Sequence, residues 1–89
     1  MSSAEVIVNS VPKESTRQAV CTSVARLLRE ERVRQELSLN LLAKKAGLSQ
    51  QMVSYVEREM RAPTLDTLLR IADALGIDLW RVIRDASKP

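Results

Sequence analysis

The chain has 89 residues, a formal net charge of +3 and no histidine; it carries one cysteine, one tryptophan, one tyrosine and no phenylalanine. That length holds one small domain, and a core without phenylalanine must be built from Leu, Val, Ile, Ala and Met, which suits a helical bundle better than a β-sandwich. The missing histidine and lone cysteine exclude a His/Cys zinc site of the usual kind, a Cys–His nucleophile pair and an internal disulfide, so no metal, no cofactor and no enzymatic activity is expected.

Residues 1–14 read as a loose arm. It contains a short β-prone run, Val6-Ile7-Val8, and then Val11-Pro12, which breaks a helix. The opening residues lack the basic region and long apolar stretch of a signal peptide. No apolar run approaches the roughly 20 residues of a membrane span, so a cytoplasmic protein with no membrane partner is expected. Ser15 and Gln18 stand at capping-box spacing and are expected to open a first helix that runs to about Gln35. Its buried face would be Val20, Val24, Leu27 and Leu28. Cys21 lies beside Val20 and Val24 and is expected to be a small core residue.

The next stretch, Ser38 to Glu57, is the most informative. Ser38 precedes the apolar run Leu39, Leu41, Leu42 and Ala43 and can cap a helix. Lys44 and Lys45 fall in its last turn, where the helix dipole favours cations. Gly47 follows, and glycine enters the left-handed conformation that ends a helix without a Cβ penalty. Leu48 plugs the corner. Ser49 caps a new helix, in which Met52, Val53 and Val56 recur at three- and four-residue spacing. Two capped helices joined by a short glycine turn cross steeply, and the second presents its first turn outward. This is a helix-turn-helix over about 39–46 and 50–58.

That exposed turn carries Gln50 and Gln51, with Tyr55 one turn on. A glutamine amide holds both a donor and an acceptor and can pair with adenine at N6 and N7. The helix start also offers free N–H groups to a phosphate. Arg61-Ala62-Pro63 marks a loop. Thr64 then caps a fourth helix with the apolar face Leu65, Leu68, Leu69, Ile71, Ala72 and Leu75, and Gly76 ends it. Asp78 is expected to cap a last helix over Leu79 to about Asp85, with Leu79, Val82 and Ile83 inward. Residues 86–89 form a tail. The domain thus spans 15–85 and is all-α with five helices.

Charge is uneven along the chain. Residues 37–62 carry Lys44, Lys45, Arg58 and Arg61 against Glu57 and Glu59, whereas residues 63–89 carry four groups of each sign. The basic excess lies in the first helix and the helix-turn-helix, where phosphates would lie.

The pattern Leu28-Arg29-Glu30…Arg32, Leu37-Ser38-x-x-x-Leu42-Ala43-x-x-Ala46-Gly47-Leu48-Ser49, Val53-Ser54-x-Val56-Glu57-Arg58 and Pro63-Thr64-Leu65-x-Thr67-Leu68-Leu69-x-Ile71-Ala72-x-Ala74-Leu75-Gly76 resembles the Cro/C1, or XRE, type of helix-turn-helix regulator. The likeness covers about residues 16–84. It implies a five-helix lambda-repressor-like domain that binds double-stranded DNA as a homodimer. It further implies base contacts by Gln50, Gln51 and Tyr55, with Met52 close enough to touch a thymine methyl. Ser49 and Arg58 match phosphate-contact positions, Arg61 lies in a loop that reaches the backbone, and Lys44 is grouped with them. Arg32 and Glu57 match a pair that joins the first helix to the third. Three positions depart from the pattern. Leu39 stands where relatives often carry a phosphate-binding glutamine. Glu36 and Glu59 stand where glycine is common, so those two turns are expected to take other shapes.

Trp80 points off the inward face of the last helix. A large aromatic at the rim of a small domain is often an interface anchor. Trp80, with Ile77 and Ile83, is therefore expected to form the homodimer contact. The leading function is a transcriptional repressor that occludes a promoter at a near-palindromic operator. The alternative is an antitoxin-like module that binds a protein partner through the arm as well as DNA.

Overall fold

The computed structural model describes residues 13–88, with side chains from residue 16. The Val6–Val8 run and the rest of the arm before Lys13 lie outside the described residues, as does Pro89. Five α-helices follow one another: α1 Lys13–Arg34, α2 Leu39–Ala46, α3 Gln50–Glu57, α4 Leu65–Leu75 and α5 Leu79–Ala86. Among the described residues there is no strand. α1 packs chiefly on α5, and α2 packs on α3 and α4. One core joins Val24 and Leu28 of α1 to Leu42, Ala43, Val53, Val56, Ile71, Ala72, Leu75, Leu79 and Val82. Leu42 and Val53 are completely buried, so the helix-turn-helix is anchored from both of its helices.

Capping chemistry sets most of the helix starts. The Ser38 hydroxyl accepts from the Leu41 N–H, Ser49 from Met52 and Thr64 from Thr67. Each satisfies a backbone donor that the first turn leaves without an intrahelical partner. Asp78 departs from the expected role: its side chain makes no cap hydrogen bond. Its carboxylate lies instead 3.8 Å from the Arg81 guanidinium. α1 also begins earlier than the Ser15 cap would place it, at Lys13, directly after Pro12.

Four helix ends share one closure. Glu36, Gly47, Glu59 and Gly76 all adopt left-handed backbone, with φ of 59°, 70°, 57° and 72°. After each, the next N–H reaches back to a carbonyl in the last turn: Leu37 to Arg32, Leu48 to Ala43, Met60 to Tyr55 and Ile77 to Ala72. The expectation that Glu36 and Glu59 would reshape their turns is therefore corrected. The backbone keeps the glycine-type geometry and places a glutamate in it, because the reaching-back bonds outweigh a left-handed penalty of about 1–2 kcal/mol.

Burial corrects three further expectations. Cys21 is exposed. Its angle around α1 is suitable, between those of Leu28 and Ala25, but no side chain of the other helices closes over it: Cys21 lines an open groove together with Val20, Val24, Glu59 and Leu68. Leu65 and Leu69 of α4 are exposed, as is Ile83 of α5. Their helices are apolar around more of their circumference than the core occupies.

Candidate nucleic-acid interface

α3 projects its first turn because its other faces are held. Val53 and Val56 face the core. Near its end, Glu57 receives two bonds from Arg32 of α1, Nε to Oε2 at 2.7 Å and Nη2 to Oε1 at 3.0 Å. Arg32 also donates through Nη1 to the Leu37 carbonyl at 2.8 Å. One guanidinium thus ties α1 both to α3 and to the turn leading into α2. The Glu57 hydrogen bond holds the Arg32 pKa above its ordinary value, against the opposing effect of burial.

A second tie follows α3. The Thr22 hydroxyl donates to Glu59 Oε1 at 2.8 Å, linking α1 to the left-handed turn. A third closes the far side: the Gln35 amide donates to Glu31 Oε2 and, at 2.7 Å, to the Leu75 carbonyl at the end of α4. Sequence reasoning missed both. Thr22 and Glu59 stand 37 residues apart and Gln35 and Leu75 stand 40 apart, with no pattern in the chain connecting them.

The proposed contact residues fall as follows. Gln50 and Gln51 are exposed, Met52 is half-buried and Tyr55 is half-buried. Gln50 has no side-chain partner among the described residues, whereas the Gln51 amide donates to the Tyr55 hydroxyl. The Tyr55 ring is covered by the Arg61 guanidinium, 5.1 Å from its centroid. Ser49 spends an acceptor site on capping, and its hydroxyl hydrogen remains a donor. Lys44 is exposed in the last turn of α2, and Arg58 is the exposed residue that closes α3. Neither has an ion-pair partner among the described residues. Leu39, one of the three departures from the family pattern, is packed against the core. Trp80 and Ile83 lie one turn apart and exposed on α5, while Ile77 packs against the core.

No described helix is long and apolar enough to cross a membrane. No group of three or more His, Cys, Asp or Glu side chains is placed to hold a metal ion among the described residues.

The order capped helix, left-handed glycine, capped helix, with a projecting second helix, is the geometry of a helix-turn-helix. The family model described as helix-turn-helix matches residues 28–79, from the middle of α1 into the start of α5. The chain belongs to the XRE-type helix-turn-helix family. It is 41% identical over 61 residues to y4dJ of Sinorhizobium fredii, named an uncharacterized HTH-type transcriptional regulator, a match that covers 68% of this chain and 74% of that protein. No solved structure matches the chain significantly. The helix-turn-helix match spans Arg32, the turn at Gly47, the whole of α3 and the Tyr55–Arg61 contact, so the family's unit coincides with the part of the fold that carries the candidate interface.

Proposed function

We propose that this helix-turn-helix protein is a sequence-specific DNA-binding transcriptional regulator that reads a near-palindromic operator with α3 in the major groove. The observation that carries the reading is the first turn of α3, which exposes Gln50 and Gln51 on a helix clamped to α1 by Arg32–Glu57. A clamped helix with amide side chains at its start suits base edges, which demand a fixed donor–acceptor geometry. Ser49, Lys44, Arg58 and Arg61 supply donors for the flanking phosphates.

The protein acts as a homodimer in this reading. Trp80 and Ile83 offer adjacent apolar surface on α5, and Ile77 supports it from beneath. Two-fold association would set the two recognition helices about one DNA turn apart, roughly 34 Å. Occupancy of a promoter by such a dimer represses by occlusion. It acts in the cytoplasm, and the catalytic chemistry of an enzyme has no part in the mechanism.

The test is a selection from random duplex DNA with the purified chain at moderate salt. A palindromic consensus with half-sites one helical turn apart supports the dimeric reader. An enriched single half-site retains DNA reading and removes the dimer. No enrichment overturns the reading in favour of a module that depends on a protein partner.

A further inference from the structure

Gln51, Tyr55 and Arg61 form a continuous line of side chains from the reading turn to the loop after α3. The Gln51 Nε2 donates to the Tyr55 hydroxyl one helical turn away. The Tyr55 ring in turn lies against the Arg61 guanidinium, 5.1 Å from the ring centroid. Tyr55 is half-buried, so its ring has a fixed seat, whereas Gln51 is exposed and would otherwise sample several rotamers.

The direction of the Gln51 bond has a consequence for recognition. An amide has two hydrogens and one carbonyl oxygen. Tyr55 takes one hydrogen, which leaves the oxygen and the second hydrogen for a base. That remaining pair matches adenine, which offers the N6 hydrogen as donor and N7 as acceptor in the major groove. With the amide reversed, Tyr55 would donate to the carbonyl oxygen, and two hydrogens would face outward. That arrangement favours the two acceptors of guanine, O6 and N7. The orientation of one amide therefore chooses between adenine and guanine.

From this geometry we infer that Tyr55 is a positioning residue that holds the Gln51 side chain by accepting one amide hydrogen, with Arg61 holding the ring, so that Gln51 presents its oxygen and second hydrogen to adenine. The inference rests on the DNA-reading function proposed above. Tyr55 acts here through Gln51 rather than by a contact of its own.

The test uses Tyr55→Phe, which keeps the ring and its seat against Arg61 and removes only the hydroxyl. Thermal unfolding of the variant checks that the fold is retained. The first readout needs no DNA: the two side-chain amide protons of Gln51, followed by NMR in the free protein. One of them should be displaced from the ordinary amide position in the wild type and return to it in Tyr55→Phe. The second readout is binding to the duplex that the wild type selects from a random pool, and to the same duplex with adenine changed to guanine at the Gln51-dependent base. Tyr55→Phe should lower the adenine preference about three- to tenfold, the weight of one hydrogen bond. In a Gln51→Ala background the same change should have no further effect at that base.

Three results overturn the inference, and they are distinguishable. Equal amide shifts in wild type and Tyr55→Phe remove the positioning contact. A Tyr55→Phe effect that multiplies with Gln51→Ala assigns Tyr55 a base contact of its own. If Gln51→Ala changes no base preference, the assignment of α3 as the reading helix falls, and this inference falls with it.

Discussion

Arg32 meets Glu57 with two parallel nitrogen–oxygen bonds across the seam between α1 and α3, where the two side chains are 13% and 6% exposed. At that depth each charge depends on the other. Arg32→Met leaves a buried carboxylate and also strips the Leu37 carbonyl of a donor. The expected cost is about 3–5 kcal/mol, and Glu57→Met should fall in the same range. The double variant should recover much of the loss, because two apolar side chains need no partner. Urea unfolding of all four proteins measures the coupling. Additive losses would mean that the two charges do not act as a pair.

The two left-handed glutamates share a backbone conformation and differ in their side-chain partners. Glu36 has φ of 59° and no side-chain partner among the described residues. Glu36→Gly removes the strained Cβ and should stabilise the chain by about 0.5–1 kcal/mol. Glu59 has nearly the same φ but accepts a bond from Thr22. Glu59→Gly should therefore gain less than Glu36→Gly, and the tie between α1 and the end of α3 would loosen. Thr22→Val separates the two effects, since it removes the bond and leaves the backbone alone. At Gly47 the change runs the other way. An added Cβ would stand 3.2 Å from Arg70 Nη1 on backbone at φ 70°, so Gly47→Ala should cost about 1–2 kcal/mol.

The turns show where sequence reasoning reaches and where it stops. The caps Ser38, Ser49 and Thr64 and the glycines at 47 and 76 act through neighbours a few residues away, so local chemistry sufficed to place α2, α3 and α4. At Glu36 and Glu59 residue type is a poor guide, because the bonds that reach back five residues, from Leu37 to Arg32 and from Met60 to Tyr55, close the turn whichever residue stands in it. Cys21, Leu65, Leu69 and Ile83 were misplaced for another reason. Helical periodicity gives an angle around the axis, and burial also depends on what lies opposite at that height. At the candidate site, Gln50, Gln51 and Tyr55 were legible as exposed groups on a capped helix. The Gln51–Tyr55 contact fits their four-residue spacing, but that spacing brings side chains near one another without selecting which exposed pair bonds. The Arg61 stack comes from the path of the loop, which no local pattern specifies.

Acid should weaken the seam between α1 and α4. Hydrogen bonds from Arg34 and Gln35 lower the Glu31 pKa below its ordinary value. A carboxylate with a folded pKa below its unfolded one contributes stability that is complete above the unfolded value and is lost as pH falls through the folded value. The wild type should therefore lose stability on acidification below about pH 4.5, the ordinary value for glutamate. Gln35→Met removes one of the two donors and the bond to Leu75, so it should be less stable at neutral pH and show a smaller acid loss. Thermal melts across pH 3–7 compare the two slopes. Parallel slopes would mean that Gln35 does not influence Glu31.

Gln50 and Arg58 should separate on DNA by what salt does to each. Gln50→Ala removes a group proposed to read a base, and should cost about 1–3 kcal/mol at the selected site while leaving the salt dependence alone. Arg58→Ala removes a charge proposed to meet a phosphate. It should weaken binding to every sequence and reduce the salt slope by about 1. Titrations of the selected duplex and a scrambled one at several salt concentrations give both quantities. An Arg58→Ala protein with an unchanged slope would place that charge off the backbone.

Trp80 provides the test of association. It is 58% exposed on α5, with Arg81 and Arg84 guanidinium groups 5.5 and 5.1 Å from its ring. A side chain so exposed contributes little to the core of its own chain, so Trp80→Ala should leave thermal stability of the monomer nearly unchanged. Its loss should matter where the ring is covered by a second copy, because truncation of a central aromatic commonly costs an interface 2 kcal/mol or more, about a thirtyfold change in dimer dissociation. The flanking arginines sharpen the expectation. Their charges are partly offset by Asp78 and Asp85, each 3.8 Å from an arginine nitrogen. In the proposed homodimer, Asp85→Asn should then weaken association by adding net positive charge to the α5 surface of each copy. Trp80 is also the single tryptophan of the chain, so its emission should shift to the red as the protein is diluted and the ring becomes wet. Sedimentation equilibrium over the same concentrations gives the mass directly. A Trp80→Ala protein that keeps its dimeric mass at low concentration would move the interface off α5.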